Sequence, residues 1–301
     1  MHASQNTNPD AAAETAGARK GPSARRVALG IGLVVLVAVG LAVDATWKAG
    51  YLYAAVTIAV TVLALSEFAA LAGRLGVDLP HRGFVLGGTA LFAAHWAAYC
   101  SGTASPWLTA AAVLAVLMML LFSMRAAQGR IQGTASGAAF ALGGWVYLPL
   151  MFGFLTAVRL EWGVAGLITL LAVGKGTSSG AYFAGTLLGR RKLVPAVSPG
   201  KTVAGLVGAL IAGVLVAWAI SHSALGVMDP LVAPLFGLLV AVAATFGDLA
   251  ESLLKREADI KDSGSLLPGF GGMLDMVDDV IFAAPVGFLF LYFHQMLVAG
   301  G

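Results

Sequence analysis

The segment Gly247–Asp279, GDLAESLLKREADIKDSGSLLPGFGGMLDMVDD, concentrates charge in a chain that is otherwise apolar. It carries eight of the fifteen acidic residues in about a tenth of the length, together with Lys255, Arg256 and Lys261. Apolar runs lie on both sides of it, so this polar segment is expected at a membrane surface. Carboxylates, bases and glycines gathered at a bilayer surface indicate a site for a metal ion and phosphate groups.

The composition of the whole chain agrees with a membrane location. Hydrophobic residues make up 59% of the 301 residues and charged residues 11%, against roughly 45–50% and about 25% in soluble domains. A soluble protein of this size could not cover so much apolar surface with so few charges. We therefore predict an integral membrane protein. Its single cysteine, Cys100, excludes an intrachain disulfide.

Several apolar stretches approach the roughly 20 residues that a helix needs to cross a bilayer. They are too long and too continuously apolar for barrel strands, so the sequence predicts an all-α polytopic membrane protein of about nine transmembrane helices. The candidate spans are about 27–43, 50–73, 83–102, 106–124, 134–157, 163–188, 203–221, 230–250 and 280–299.

The distribution of bases predicts the orientation. With the N-terminus inside, fifteen of the eighteen Lys and Arg residues lie on the cytoplasmic side, and the other three are Lys48, Arg159 and Lys175. So strong a bias favours a cytoplasmic N-terminus and places the charged loops on the cytoplasmic face. We expect the inner membrane of a bacterial cell as the location.

Three regions are predicted along the chain. Residues 1–26 are polar and form a disordered cytoplasmic tail, 27–133 form N-terminal transmembrane helices, and 134–301 form a C-terminal transmembrane catalytic region. The run at 27–43 follows bases, as a signal peptide would, but no clear small-x-small cleavage site follows it. We interpret it as a retained first helix.

The aspartates of the charged segment are spaced to share helix faces. Asp275, Asp278 and Asp279 have i, i+3, i+4 spacing, and Asp248 precedes Ser252 by four residues. Grouped like charges repel unless a cation or bases offset them, and carboxylates suit magnesium. A solvated helix cap at the membrane edge is the alternative.

The bases of the two charged loops are candidate phosphate partners. Lys255, Arg256 and Lys261 have the chemistry for this role, although bases at a helix end also serve as membrane anchors. In the second loop, Ser198, Lys201 and Thr202 supply two hydroxyl groups and an ammonium, without the glycine spacing of a Walker A loop. Lys175 and Glu67 lie within spans and could be functional or paired structurally.

Together the two loops resemble those of the phosphatidate cytidylyltransferases, also called CDP-diacylglycerol synthases. That signature has the form S-x-x-K-R-x4-K-D, then P-G-H-G-G, then D-R-x-D, with S-G-A-Y and S-P-x-K-T elsewhere. The likeness covers roughly residues 135–290. The matching positions are Gly247, Asp248, Leu249, Glu251, Ser252, Lys255, Arg256, Lys261, Asp262, Pro268, Gly269, Gly271, Gly272, Asp275 and Asp278, with Ser179–Tyr182 and Ser198–Thr202 in the second loop.

The resemblance implies transfer of a cytidylyl group from CTP to phosphatidate, with Mg²⁺ as cofactor. It implies no nucleic-acid partner, and a homodimer in the lipid bilayer is the expected assembly. By matched position, the metal ligands are Asp248, Asp275 and Asp278. The nucleotide and phosphate site is lined by Ser252, Lys255, Arg256, Lys261 and Asp262, helped by Tyr182, Ser198, Lys201 and Thr202.

The chain departs from the family pattern at five positions. This chain has Phe270 where the family pattern has histidine, Met276 where it has arginine and Ser178 where it has aspartate. Val203-Ala204 replace an aromatic and an acidic residue of that pattern. Two rival functions stay open. One is a related transferase or kinase acting on another lipid, because loops that bind head groups do not reveal the lipid tails. The other, indicated by the departures, is a catalytically weak membrane scaffold.

Overall fold

A computed structural model describes residues 39–46, 50–102, 105–264, 266 and 271–300. The chain divides into two compact units, Met1–Val39 and Gly40–Gly301, and the elements described below belong to the second. The predicted tail 1–26 lies outside the described residues, and the boundary at 133/134 stays a prediction. Within the described ranges the elements are α1 (Tyr51–Arg74), α2 (His81–Ser101), α3 (Pro106–Ala127), α4 (Thr134–Trp145), a π-helical turn (Val146–Leu150), α5 (Met151–Glu161), α6 (Gly163–Leu188), β1 (Lys192–Val194), β2 (Ser198–Thr202), α7 (Val203–Ser221), α8 (Ala233–Glu257) and α9 (Met273–Gly300).

Seven helical segments in the described part of the chain are long and apolar enough to cross a membrane. They are α1, α2, α3, the continuous segment Thr134–Glu161, α7, α8 and α9. The predicted span 163–188 forms α6 but is not among the seven, because Lys175 and a run of glycine, serine and threonine lower its hydropathy. The predicted span 27–43 lies mostly outside the described residues. The protein is a nearly all-α integral membrane protein, and nine spans remain a prediction.

The π-helical turn divides the predicted span 134–157 into α4 and α5. Pro149 lies inside this turn; proline has no N–H to donate and disrupts the regular helical ladder. A π-helical turn widens the helix by one residue and is frequent at functional sites. The buried hydroxyl of Tyr147, on this turn, has no hydrogen-bond partner among the described residues.

One short hairpin departs from the all-helical prediction. Strands β1 and β2 pair antiparallel, with Lys192 opposite Thr202 and Val194 opposite Ser198. Thr202 ends the hairpin and begins α7, since its side chain accepts a hydrogen bond from the backbone N–H of Gly205 at 3.0 Å. The hairpin thereby holds the second charged loop against the helical bundle.

Glycines bring the helices that carry the charged loops into close contact. A methyl group at Gly180 of α6 would collide with the backbone of Gly208 in α7, and one at Gly208 would collide with α6. Similarly, a methyl group at Gly247 of α8 would collide with the carbonyl oxygen of Asp278 in α9. Small residues permit such close helix approach in membranes. Asp248 and Asp278 are therefore held on neighbouring helix surfaces.

Two further carboxylates are paired with cations away from the charged segment. Buried Asp44 accepts hydrogen bonds from Tyr53 N at 3.0 Å and Arg159 Nε at 2.9 Å. Asp78, in the connection between α1 and α2, pairs with Arg125 at 2.7 Å and Arg130 at 2.8 Å. The hydrogen bond from Arg125 lowers the pKa of Asp78 below its ordinary value.

Candidate active site

The two charged loops meet in the structure. Lys201 on β2 forms an ion pair with Asp248 on α8, with Nζ 2.9 Å from Oδ1. A second link comes from Arg256, whose Nε donates to the carbonyl oxygen of Val197 at 3.1 Å. The hairpin is thus fastened to the charged segment Gly247–Asp279 at two points on one helix, and residues some fifty positions apart form one site.

Asp275, in the first turn of α9, organises the loop that precedes this helix. Its Oδ1 lies 2.5 Å from Lys255 Nζ. Its Oδ2 accepts hydrogen bonds from the backbone N–H and hydroxyl of Ser263 at 2.8 and 2.7 Å, and from Gly272 N at 2.8 Å. Gly271 has a φ of +84° and packs against this carboxylate. A side chain there would be both strained and crowded.

Glu67 on α1 anchors the same loop from the N-terminal half of the chain. Its Oε1 accepts from Met273 N, and its Oε2 from Leu274 N, both at 2.8 Å. The Ser263 hydroxyl donates to Glu67 Oε2 at 2.9 Å and also to Asp275. Glu67 thus caps the beginning of α9, where unpaired backbone N–H groups favour a carboxylate. The sequence offered one signal for this role, an ionisable residue inside an apolar run.

Glu251 is the most deeply buried carboxylate of the site. Lys255 Nζ lies 2.5 Å from its Oε2 and bridges it to Asp275. Apart from this ammonium, which Glu251 shares with Asp275, no backbone N–H of a described residue donates to either oxygen of Glu251. Buried polar groups without such partners are rare and call for an explanation.

The second turn of α9 carries two adjacent aspartates. Asp278 Oδ1 accepts a hydrogen bond from Asp279 N at 2.7 Å, and both residues are buried. Asp279 pairs with two residues of α6: Lys175 Nζ lies 2.8 Å from Oδ1, and the Ser178 hydroxyl donates to Oδ2 at 2.8 Å. Lys175 also donates to the carbonyl oxygen of Met276 at 2.8 Å. Lys175 is therefore paired within the site.

Some predicted residues take part in these contacts and others do not. Ser252 is buried on α8, one turn from Asp248. Tyr182 is exposed on α6, and Lys261 and Asp262 are exposed beyond α8 without forming any of the ion pairs found in the described part of the chain. No three acidic, His or Cys side chains of the described residues are grouped so that they could hold a metal ion by themselves. The predicted ligand roles remain predictions.

Acidic side chains outnumber bases in the ion-paired part of the site. We call Asp248, Glu251, Asp275, Asp278 and Asp279 the carboxylate cluster. Its ion pairs use the ammonium groups of Lys175, Lys201 and Lys255. Five acidic side chains and three ammonium groups therefore meet in one cluster. Grouped carboxylates repel one another unless bases or a cation offset them.

A comparison with known families decides the identity. A model of the cytidylyltransferase family matches residues 25–294 of this sequence. The chain belongs to the cytidylyltransferase family. The resemblance found in the two charged loops is thus confirmed at the level of the family, and the match extends well beyond those loops.

Individual cytidylyltransferase relatives match over shorter stretches. The chain is 35% identical over 184 residues to phosphatidate cytidylyltransferase of Bacillus subtilis, covering 60% of this chain and 66% of that protein. It is 41% identical over 155 residues to the enzyme of the same name from Helicobacter pylori, covering 50% and 56%. It is 42% identical over 137 residues to the Escherichia coli protein named uncharacterized protein YnbB, covering 46% of each. The matches span about half to two thirds of the relatives' length.

Proposed function

We propose that this cytidylyltransferase transfers the cytidylyl group of CTP to phosphatidate. A phosphate oxygen of phosphatidate forms a bond to the α-phosphorus of CTP. The bond from that phosphorus to the oxygen that bridges the α- and β-phosphates breaks. The products are CDP-diacylglycerol and pyrophosphate. The observation that carries this proposal is the meeting of the two family loops through the ion pair between Lys201 and Asp248.

The chemistry of the site suits an in-line displacement between two phosphates. Both substrates are anionic, and negative charge increases on the leaving pyrophosphate during transfer. Lys201 and Lys255 approach the carboxylates from two different elements, and Arg256 lies on the same helix turn as Lys255. We assign these three residues, with Ser198 and Lys261, to binding the substrate phosphates and holding them in line.

The residues present fit a magnesium ion that is shared with the substrates. Magnesium is usually held by one or two carboxylates together with waters and substrate phosphates, so three grouped protein ligands are not required. The grouping of five acidic side chains around three ammonium groups supports a cation here. Asp248 and Asp278 would hold it, while Asp275 keeps the loop in place through its four hydrogen-bonded contacts. When bound, the ion would stabilise charge on the phosphate oxygens.

We propose the membrane arrangement that the bases of the sequence predict. It has about nine spans, a cytoplasmic N-terminus and the carboxylate cluster facing the cytoplasm, where CTP is present. The inner membrane of a bacterium and a homodimer complete this proposal. Accessibility labelling of single cysteines, placed in the loops after α1 and after α2, would establish the orientation.

A second candidate function is transfer to a different lipid phosphate. It is favoured by the departure at Met276, whose thioether takes the place of the guanidinium in the family motif and so removes one phosphate donor. A changed set of phosphate donors is compatible with a changed acceptor. Competition between phosphatidate and other lipid phosphates would separate this candidate from the first.

The first experiment is a turnover assay with purified protein in detergent. Labelled CTP, phosphatidate and Mg²⁺ are expected to give labelled CDP-diacylglycerol, and chelation of the metal is expected to stop the reaction. Arg130→Met, which removes a cation far from the carboxylate cluster in sequence and contacts, is the matched control. A folded protein that gives no product with phosphatidate would refute the proposed function, and product with another lipid phosphate would favour the second candidate.

A further inference from the structure

Lys175 carries an ammonium group into the bundle, and two contacts fix its position. Its Nζ lies 2.8 Å from Asp279 Oδ1 and donates to the carbonyl oxygen of Met276 at 2.8 Å. The Ser178 hydroxyl holds the other oxygen of Asp279. An ammonium has three N–H donors, so these two contacts leave one donor for another acceptor. The group is thus oriented before any ligand arrives.

Lys175 differs from the other paired lysines of the site in its exposure. Its side chain is 53% exposed, against 18% for Lys201 and 13% for Lys255. Its partner Asp279 is only 5% exposed. The carboxylate is therefore enclosed while the ammonium is accessible from one side. Among these three lysines, Lys175 offers the most accessible positive charge to an incoming anion.

Lys175 lies near the middle of α6, twelve residues after Gly163. An ammonium exposed to hydrocarbon is costly, so a polar surface is expected beside it. The face of α6 that carries Lys175 continues through exposed Ser178, Ser179 and Tyr182, at helical spacings of three, four and seven residues. This polar face leads from Lys175 along α6 toward the hairpin that carries Lys201.

We infer that Lys175 binds a phosphate group of a substrate at the inner end of this polar face. The inference rests on the proposed function, because it takes the carboxylate cluster as the place where phosphates meet. Asp279 and Ser178 act as positioning residues that hold the ammonium in place. The ligand chemistry is a phosphate carrying at least one negative charge, which both CTP and phosphatidate supply.

The test compares two half-exposed cations that are each paired with an aspartate at 2.8 Å, Lys175 and Arg130. Equilibrium binding of CTP and of phosphatidate in mixed micelles is measured separately for wild type, Lys175→Met and Arg130→Met. We expect Lys175→Met to weaken one of the two ligands about tenfold, as loss of a charge-assisted hydrogen bond does. Arg130→Met should stay within about twofold of wild type for both.

Each outcome of the binding experiment has one meaning. Weaker CTP binding alone identifies a nucleotide phosphate as the ligand of Lys175, and weaker phosphatidate binding alone identifies the lipid phosphate. Unchanged binding of both by folded Lys175→Met overturns the inference, as does a wild-type protein that binds neither. If the wild-type protein binds its ligands but forms no CDP-diacylglycerol, the proposed function is refuted. The measured effect of Lys175→Met on ligand binding still stands in that case.

A second measurement uses the unmodified protein, since Lys175→Met leaves Asp279 without its cation and could fail to fold. Amine acetylation is followed by mass spectrometry at Lys175 and at exposed Lys192 on β1. We expect CTP or phosphatidate to slow acetylation of Lys175 at least about fivefold, because a bound phosphate covers the ammonium. Acetylation of Lys192 should not change. Equal rates at Lys175 with and without both ligands would contradict the inference.

Discussion

Two buried carboxylates of this cytidylyltransferase, Asp44 and Glu251, have opposite surroundings. Asp44 accepts hydrogen bonds from Tyr53 N and Arg159 Nε and forms an ion pair with Arg159. Glu251 is just as deeply buried, yet it accepts no hydrogen bond from a backbone N–H of a described residue and shares the ammonium of Lys255 with Asp275. Burial alone therefore does not distinguish a structural carboxylate from a functional one. The number of hydrogen bonds that a buried carboxylate accepts does distinguish the two kinds, because a buried acceptor with too few partners lowers the stability of the fold.

The largest effect in this comparison is expected at the satisfied pair. Arg159→Met leaves the buried Asp44 carboxylate without this cation, and removing one partner of a buried pair costs about 3 kcal/mol or more. We expect equilibrium unfolding in mixed micelles to show this loss, while turnover per folded molecule is unchanged. Unaltered stability would mean that the pair with Asp44 does not hold the fold together.

The next largest effect is expected at the organised loop. Asp275→Asn replaces an acceptor-only carboxylate by an amide that cannot accept from Lys255, Ser263 and Gly272 together. We expect turnover to fall about 100-fold or more, equivalent to about 2.7 kcal/mol in the barrier, with expression in membranes intact. Near-normal turnover would remove Asp275 from the active site.

A smaller effect is expected at the residue that caps α9. Glu67→Gln keeps one acceptor oxygen but replaces the other by an amide N–H₂. That group cannot accept a hydrogen bond from the backbone N–H of Met273 or Leu274 that now points at the lost oxygen. Loss of such a cap costs about 1–2 kcal/mol of stability, and the loosened loop should lower turnover about tenfold. Restoring charge with Glu67→Asp should recover less than the wild-type level, because the shorter side chain reaches less far. A normal melting temperature with normal turnover would contradict the capping role.

The smallest change in stability is expected at Glu251, and its sign is reversed. Glu251→Gln removes an under-satisfied buried charge while Lys255 keeps its ion pair with Asp275. We expect a gain of about 1 kcal/mol in unfolding free energy together with reduced turnover and weaker Mg²⁺ dependence. Lower stability in this variant would show that the carboxylate is as structural as Asp44.

The sequence was sufficient for features that depend on local composition. The long apolar runs predict the seven helical segments of the described residues that are long and apolar enough to cross a membrane, and the motifs of the two charged loops resemble the family that the comparison confirms. The β hairpin was missed, because a strand of three residues, Lys192–Val194, carries too little pattern to be recognised. The π-helical turn at Pro149 was also missed, because the apolar residues on both sides of it form one continuous run that predicts a single helix.

Contacts between distant segments could not be predicted from periodicity. Glu67 and Lys175 were recognised only as ionisable residues within spans, with function and structural pairing left open. Their partners lie 207 and 104 positions away, so the pairing exists only after tertiary packing. Likewise, the spacing of Asp275 indicates a metal ligand, whereas its four hydrogen-bonded contacts could be seen only in the folded chain.

The cap that Glu67 places on α9 also has a consequence for how the protein is made. During synthesis, α1 leaves the ribosome and enters the membrane long before α9, and the loop between α8 and α9 has no anchor until both are present. Assembly of the catalytic loop thus waits for insertion of the last described helix. A partly synthesised chain that already holds Lys201 and Asp248 would still lack this loop, and under the proposed function it is not expected to use CTP.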